Sequence, residues 1–340
     1  ACNTANVGSS PDTQIKKPKN IILLIGDGMG LTQVSTAFYY QEKVSNFTRF
    51  KYIGLHQNMP TSHKVVDSAA GATAFSAGVK TYNGAIGVNK DTIPVPTILE
   101  RLANEGWKTG VIATSSIVHA TPASFYAHTA SRRSYEEIAR QLVYAPVHFF
   151  AGGGLHFFAD RSDGLNYLDS LSQRGFVVNT TKLSSTYPDG NQKYGFLLAP
   201  DGMPRMQEGR GDFLPKATKM AIDHLSQNKE GFFLMVEGSQ IDWGGHGNDA
   251  DYVIQETLDF DEALGVALDF AEKDGNTLVV VTADHETGGL SLSAATIYGQ
   301  SDYTQITPSF STGNHSAALI SVFGYCPGAS TKTVIFIAKC

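Results

Sequence analysis

Short, mostly apolar runs recur along this chain at 21–25, 107–114, 147–151, 232–236, 277–282 and 317–323. Each is flanked by glycine or polar residues, the pattern of a strand buried on both faces of a parallel sheet. Longer segments with helical character separate them, at 31–42, 97–105, 135–143, 164–173, 216–227 and 249–273. The last places Val253, Leu258, Leu264, Leu268 and Phe270 along one long helix. An extended stretch is expected at 52–62, a short strand at 176–179, and a polar loop over 180–212. Strands alternating with helices predict an α/β domain. There is no internal repeat and no shift of composition to mark a second domain.

The strand ends carry the chemistry. In open α/β sheets ligands bind beyond the carboxyl ends of the strands. Glu237 closes the run 232–236, and Asp27 closes 21–25 ahead of a glycine-rich turn, Gly28-Met29-Gly30. Asp284 and His285 fall just past 277–282. Asp242 and His246 are four residues apart, which on a helical turn puts both on one face. His315 precedes the last strand. Any one of these reads equally well as surface polarity or a helix cap. Together, three or more carboxylates with three histidines on one sheet edge call for a cation, because close carboxylates repel. The ligand mix suits two Zn²⁺ and one harder, oxygen-liganded ion such as Mg²⁺.

Two further segments bear on an anion. Asp67 and Ser68 open a helix of small residues, Ala69-Ala70-Gly71-Ala72-Thr73-Ala74. Ser68 falls at or near the helix N-terminus, where free N–H groups favour an anion; a plain serine cap is the commoner role. Thr121 before Pro122 resembles an N-cap with proline at the first helical position. Arg132 lies about three helical turns on if that helix is unbroken. By itself the pair Arg132-Arg133 reads as an ordinary solvated surface feature.

The chain has 340 residues, 42% of them hydrophobic, enough for a large core in one domain. Charged residues are 17% and the net charge is −6, with no Lys/Arg-rich run, which argues against a nucleic-acid partner. No apolar run approaches the roughly 18 residues of a membrane span. Cys2, Cys326 and Cys340 are too few and scattered for a disulfide framework or a cysteine zinc site. Cys2, ahead of a polar stretch, reads either as the lipidated residue of a bacterial lipoprotein or as an incidental residue of a trimmed secretion signal. Residues 1–19 are expected to be a flexible tether, and 20–340 a single domain.

The combined motifs resemble those of alkaline phosphatases: Asp27-Gly28-Met29-Gly30, Asp67 through Ala74, Thr121-Pro122-Ala123 with Ser131-Arg132, Glu237 through Asp242 with His246, Ala283 through Thr287, and His315. Order and spacing match from Asn20 to about Gly328. The resemblance implies a three-layer sandwich with a large, mostly parallel central sheet flanked by helices. It implies hydrolysis of small phosphate monoesters through a phosphoserine. Asp242, His246 and His315 would hold one Zn²⁺, and Asp27, Asp284 and His285 the second. Asp27, Thr121 and Glu237 would hold Mg²⁺. Ser68 would be the nucleophile and Arg132 the phosphate clamp, with Asp67, His119 and Trp243 beside the substrate. A homodimer in the periplasm or outside the cell is also implied.

The chain departs from that pattern in three places. His119 and Trp243 stand where some bacterial members carry Asp and Lys. Only about 28 residues separate Glu286 from His315, where larger members insert a subdomain. The match fades after Gly328. The competing readings are a phosphodiesterase or sulfatase of the same superfamily, and a non-catalytic phosphate- or metal-binding protein of the cell envelope. The first lacks the Asp67-Ser68-Ala69 context with Arg132; the second has no need of Ser68.

Overall fold

The computed structural model describes residues 17–183, 192–297, 299–326 and 337–339. Cys2, most of the expected tether and the segment just past Gly328 lie outside them. The chain opens with β1 (Asn20–Gly26), α1 (Leu31–Tyr39), a 3₁₀ turn (Asn46–Arg49) and β2 (Tyr52–Gln57). Next come α2 (Ser68–Ala77), α3 (Ile98–Asn104), β3 (Lys108–Ser116), α4 (Ala120–Ala123), α5 (Tyr135–Tyr144) and β4 (Phe149–Gly153). The middle holds α6 (His156–Ala159), α7 (Tyr167–Gln173), β5 (Phe176–Asn179), β6 (Lys193–Leu197) and α8 (Phe213–Leu225). Then follow β7 (Phe232–Gly238), α9 (Gln240–His246), α10 (Ala250–Asp274) and β8 (Thr277–Thr282). The chain closes with β9 (Glu286–Thr287), β10 (Leu290–Ile297), β11 (Gln300–Phe310), β12 (His315–Ser316), β13 (Ile320–Tyr325) and β14 (Ile337–Lys339).

Among the described residues, ten strands form one sheet in the order β14-β2-β13-β8-β1-β7-β3-β4-β6-β5. Every pairing is parallel except those of β13, which runs against both β2 and β8. The apolar runs explain the layers. Along β7, Phe232, Leu234 and Val236 point to one face, where they join Leu214, Ala217 and Ala221 of α8 and Phe260, Leu264 and Leu268 of α10. Phe233 and Met235 point to the other, with Ala69 and Ala72 of α2, Ile138 and Leu142 of α5 and Leu171 of α7. A strand buried on both faces must be apolar throughout, and β7 is buried at every position. The expected three-layer α/β sandwich is therefore the observed architecture.

β1 lies centrally, between β7 and β8, so three chain segments far apart in sequence end side by side. Their carboxyl ends meet at the candidate site.

Several expectations need correction. The extended stretch 52–62 ends as a strand at Gln57. The loop expected over 180–212 contains β6, a buried strand of the main sheet. The strand expected at 317–323 begins at Ile320. Before it stands an unforeseen hairpin of β10 and β11, paired antiparallel. Its β11 has mostly exposed positions, and this explains the missing apolar signal. The helix through Thr121 is one turn, not three: α4 ends at Ala123, and the chain then crosses to bridge Thr129 with Ile86.

Candidate active site

Ser68 is the first residue of α2 and is nearly buried. The cap is its neighbour, not Ser68: one oxygen of Asp67 accepts from Ala70 N at 3.0 Å. Asp67's other oxygen accepts from Gly84 N and from Arg132 Nη1, both at 3.0 Å. Arg132 comes from a turn after the Thr129 bridge rather than from a helix, and its own N–H donates to Gly84 O at 2.7 Å. One carboxylate thus caps the helix and steadies the guanidinium beside it. Gly71 explains why α2 is made of small residues. A Cβ there would lie 2.9 Å from the Cβ of Asp284, so a larger residue would push the helix off the strand ends. Ser68 Oγ lies 3.3 Å from His285 Nε2.

Behind Ser68 the strand ends converge as the sequence implied. Asp27, Glu237, Asp284 and His285 are fully buried. His285 Nε2 stands 3.3 Å from Asp284 Oδ2 and 3.5 Å from Asp27 Oδ1. Asp242 Oδ1 lies 3.5 Å from His246 Nε2 and 3.6 Å from His315 Nε2, and those two nitrogens are 3.1 Å apart. The rings of His285 and His315 stack at 3.5 Å, so the two groups adjoin. Asp27, His119 and Glu237 bring ligand atoms within 4.8 Å of one another. Thr121 Oγ1 is 3.5 Å from Asp27 Oδ2. His119 therefore belongs with the third carboxylate group as much as with substrate. Trp243 meets the His119 ring edge-on at 6.1 Å, and Gly202 packs against the indole.

The geometry fits cations. Asp27 Oδ1, Glu237 Oε1 and Asp284 Oδ2 are buried with no hydrogen-bond partner among the described residues. A buried ionised oxygen without a donor is costly unless a positive charge meets it. The imidazoles are prepared in a matching way. His246 Nδ1 lies 2.7 Å from Gly313 O and His315 Nδ1 lies 2.9 Å from Val66 O. A carbonyl only accepts, so each Nδ1 carries a proton, and in the neutral ring Nε2, turned toward Asp242, is the nitrogen open to a cation.

Burial sets the titration of the rest. It raises Asp27 well above the usual carboxylate range, with the charges of Asp284 and Asp242 adding to it. It raises Glu237 to about 7 and Asp284 likewise upward. Burial lowers His285 to about 3, with His315 assisting, and His119 to about 3, with Arg132 assisting. Neutral imidazoles are ready to ligate, and the carboxylates need a cation beside them to ionise.

A second ring of residues holds these groups: Ser239, Glu286 and Thr287 stand within the motifs, and Ser115 and Gln33 outside them. Ser239 Oγ donates to Glu237 Oε2 at 2.7 Å, with Ser115 Oγ at 3.4 Å from the same oxygen, so Oε1 is left to face the site. Gln33 Nε2 donates to Glu286 Oε1 at 2.7 Å and to Thr287 O at 2.9 Å. Only the three-dimensional contacts reveal these roles.

The alkaline phosphatase family model matches residues 18–334. The chain belongs to the alkaline phosphatase family. It is 42% identical over 296 residues to alkaline phosphatase 3 of Bacillus subtilis (strain 168), covering 82% of this chain and 63% of that relative's length. It therefore spans less than two thirds of that relative. Among solved structures, alkaline phosphatase from the Antarctic bacterium TAB5 is 54% identical, with a TM-score of 0.89 and 93% of each chain covered. A variant of the TAB5 enzyme with one histidine replaced by aspartate is described with Mg bound in the M3 site. The family's fold and the observed three-layer sheet agree. Among the described residues, no helix is long and apolar enough to cross a membrane.

Proposed function

We propose that this chain hydrolyses phosphate monoesters to an alcohol and inorganic phosphate, with Ser68 as the nucleophile. The observation that carries the reading is one cluster. Three buried carboxylates each leave an oxygen unpaired, three imidazoles stand among them, and a helix-opening serine and an arginine border the cluster. Asp242, His246 and His315 would hold one Zn²⁺, and Asp27, Asp284 and His285 a second. Asp27, Thr121 and Glu237 would hold Mg²⁺. His119 adds an imidazole to that last group, so its ligation is less purely oxygen than Mg²⁺ prefers. Bound, these cations would supply electrophilic stabilisation of phosphate charge and acidify a hydroxyl they touch.

The chain's own residues do the rest. Ser68 Oγ attacks phosphorus, the ester bond to the alcohol breaks, and Ser68 becomes a phosphoserine. The N-terminus of α2 favours the negative charge gathering there. Arg132 presents a planar fork to two phosphate oxygens, and Asp67 keeps that fork aimed. Water then displaces Ser68 from phosphorus, releasing phosphate and restoring the hydroxyl.

The further attributes follow the same reading. Residues 20–340 act as one catalytic domain without a large insertion. The exposed apolar side chains of α1 (Leu31, Phe38, Tyr39) and β2 (Ile53, Leu55) suit burial in a homodimer. The protein works in the periplasm or outside the cell, with Cys2 as a candidate lipid anchor.

Turnover of p-nitrophenyl phosphate against its diester, together with trapping of labelled phosphate after acid quench, tests the proposal. The monoester should dominate, and label should appear on the wild-type chain and not on Ser68→Ala. Preference for the diester, no turnover of either ester, or equal label on Ser68→Ala would each overturn it.

A further inference from the structure

His246 and His315 each have Nδ1 fixed by a backbone carbonyl. His285, whose Nε2 lies 3.3 Å from Ser68 Oγ, has no such carbonyl among the described residues. Its Nδ1 lies 3.2 Å from the hydroxyl of Thr287, and a hydroxyl can either donate or accept. The second contact of that hydroxyl removes the ambiguity. Thr287 Oγ1 donates to Asp242 Oδ1. A threonine has one hydroxyl proton. Once it is committed to Asp242, the oxygen can only accept from His285, so Nδ1 carries the proton and Nε2 is bare. That bare nitrogen is the one facing Asp27, Asp284 and Ser68.

Thr287 is also held from every side. Its N–H donates to Gly28 O at 3.1 Å, next to Asp27. Its carbonyl accepts from the buried Gln33. It pairs with His315 in the short ladder of β9 and β12. Its backbone abuts Gly245, where a Cβ would lie 2.8 Å from Thr287 O. One residue that ligates nothing thus touches the segments carrying Asp27, Asp242, His246 and His315.

We propose that Thr287 is a positioning residue whose hydroxyl sets the tautomer of His285 and ties it to Asp242, holding the two zinc groups in register. The proposal rests on the zinc reading above. Partners of this kind, hydrogen-bonded to a ligand rather than to the metal, change metal affinity by about 10–100-fold when removed. The hydroxyl is the active feature, so Thr287→Val, equal in shape, should behave as a loss, and Thr287→Ser as a rescue.

The experiment uses the full chain in three forms: wild type, Thr287→Val and Thr287→Ser. Zinc affinity is read by competition with a chromophoric chelator. The His285 tautomer is read by ¹⁵N NMR of histidine-labelled, metal-free protein. Wild type and Thr287→Ser should show Nδ1 protonated and Nε2 bare, with matching zinc affinity. Thr287→Val should show a mixed or reversed tautomer and about 10–100-fold weaker binding. Wild-type zinc affinity in Thr287→Val, or Nε2 protonated in wild type, would overturn the inference. The wild-type spectrum decides the matter even if Thr287→Val does not fold. Failure of wild type to bind zinc at all would instead overturn the zinc reading itself.

Discussion

Two buried clusters of charge stand apart in this molecule, and they are solved differently. One is Arg210 with Glu256 and Asp259, all three side chains almost wholly out of solvent. Arg210 Nη2 donates to Asp259 at 2.8 Å, and both terminal nitrogens reach Glu256. Met206 N adds a donor to Glu256 at 3.0 Å. Here the chain supplies its own cation, and the acids are partnered within the fold. The other cluster gathers Asp27, Glu237, Asp242 and Asp284, and Arg132 is turned to Asp67 instead. Asp27, Glu237 and Asp284 each keep an oxygen with no partner among the described residues. Buried carboxylates that the chain pairs with its own cation belong to architecture. Buried carboxylates that it leaves unneutralised, beside bare imidazole nitrogens, describe a place for something not encoded in the sequence.

That contrast can be broken first at Arg210. Removing one member of a buried ion cluster leaves uncompensated charge, which costs about 3–5 kcal/mol. Arg210→Met should lose that much unfolding free energy in denaturant titration, and zinc should not restore it. A loss under ~1 kcal/mol would mean the cluster is no more than a surface-like pair.

Arg132 is the corresponding cation on the other side of the comparison, and its removal should cost activity rather than stability. Hydrogen bonds to charged groups contribute about 1.5–3 kcal/mol. Arg132→Ala should therefore lower kcat/KM for a monoester by the equivalent of roughly 2–4 kcal/mol, and weaken inhibition by phosphate in parallel. A diester, with one of the clamped oxygens blocked, should lose less. Arg133→Ala should be near neutral. Equal losses for both esters, or a larger loss at Arg133, would move the clamp to another residue.

Zinc separates the pH dependence of the two clusters next, since burial also raises Glu256 and, to about 6, Asp259. In the metal-free protein, burial raises Asp27, Glu237 and Asp284 above their unfolded values. The native state then holds protons that the unfolded state has released. Their contribution to stability is present at low pH and is lost as pH rises toward and through about 7, the Glu237 value. Bound cations reverse this, since they bind the ionised forms. The melting-temperature gap between zinc-loaded and chelated protein should widen from pH 5 to pH 8. A constant gap would mean that the raised carboxylates do not face the metal.

The smallest effect belongs to exposed pairs that join neither cluster. Lys219 and Asp223, four residues apart on α8, are both more than half exposed. Lys219→Ala should change stability by no more than ~0.5 kcal/mol. A larger change would weaken the argument that burial, not charge count, makes the two clusters matter.

The same contrast explains what the sequence disclosed. β1, β7 and β8 were legible because a strand buried on both faces must be apolar throughout, and their ends exposed Asp27, Glu237 and Asp284 as breaks in those runs. β10 and β11 gave no signal because few of their side chains need burial; Tyr303, for example, is 88% exposed. β6 hid in a polar surround, its apolar content confined to Tyr194, Phe196 and Leu197. Arg132 was legible as a candidate but not its route, since the turn after α4 is set by the Thr129–Ile86 bridge. The roles of Ser239, Ser115 and Thr287 could not be read. Each of these hydroxyls also meets a distant segment, Ser239 that of Ser115 and Thr287 that of Asp242, and nothing local encodes those contacts. Arg210 likewise sat in a stretch that offered no pattern, because its partners lie about 46 and 49 residues further along the chain.

The most direct test of the central claim is to remove and return the cations while reading activity and stability together. Dialysis against a chelator should abolish monoester hydrolysis and lower the melting temperature, because metal that binds only the native state stabilises it. Two Zn²⁺ and one Mg²⁺ per chain should restore both, and Asp242→Ala, His246→Ala and His315→Ala should each lower the zinc recovered. Full monoester hydrolysis by protein carrying no metal in stoichiometric amount would contradict the account.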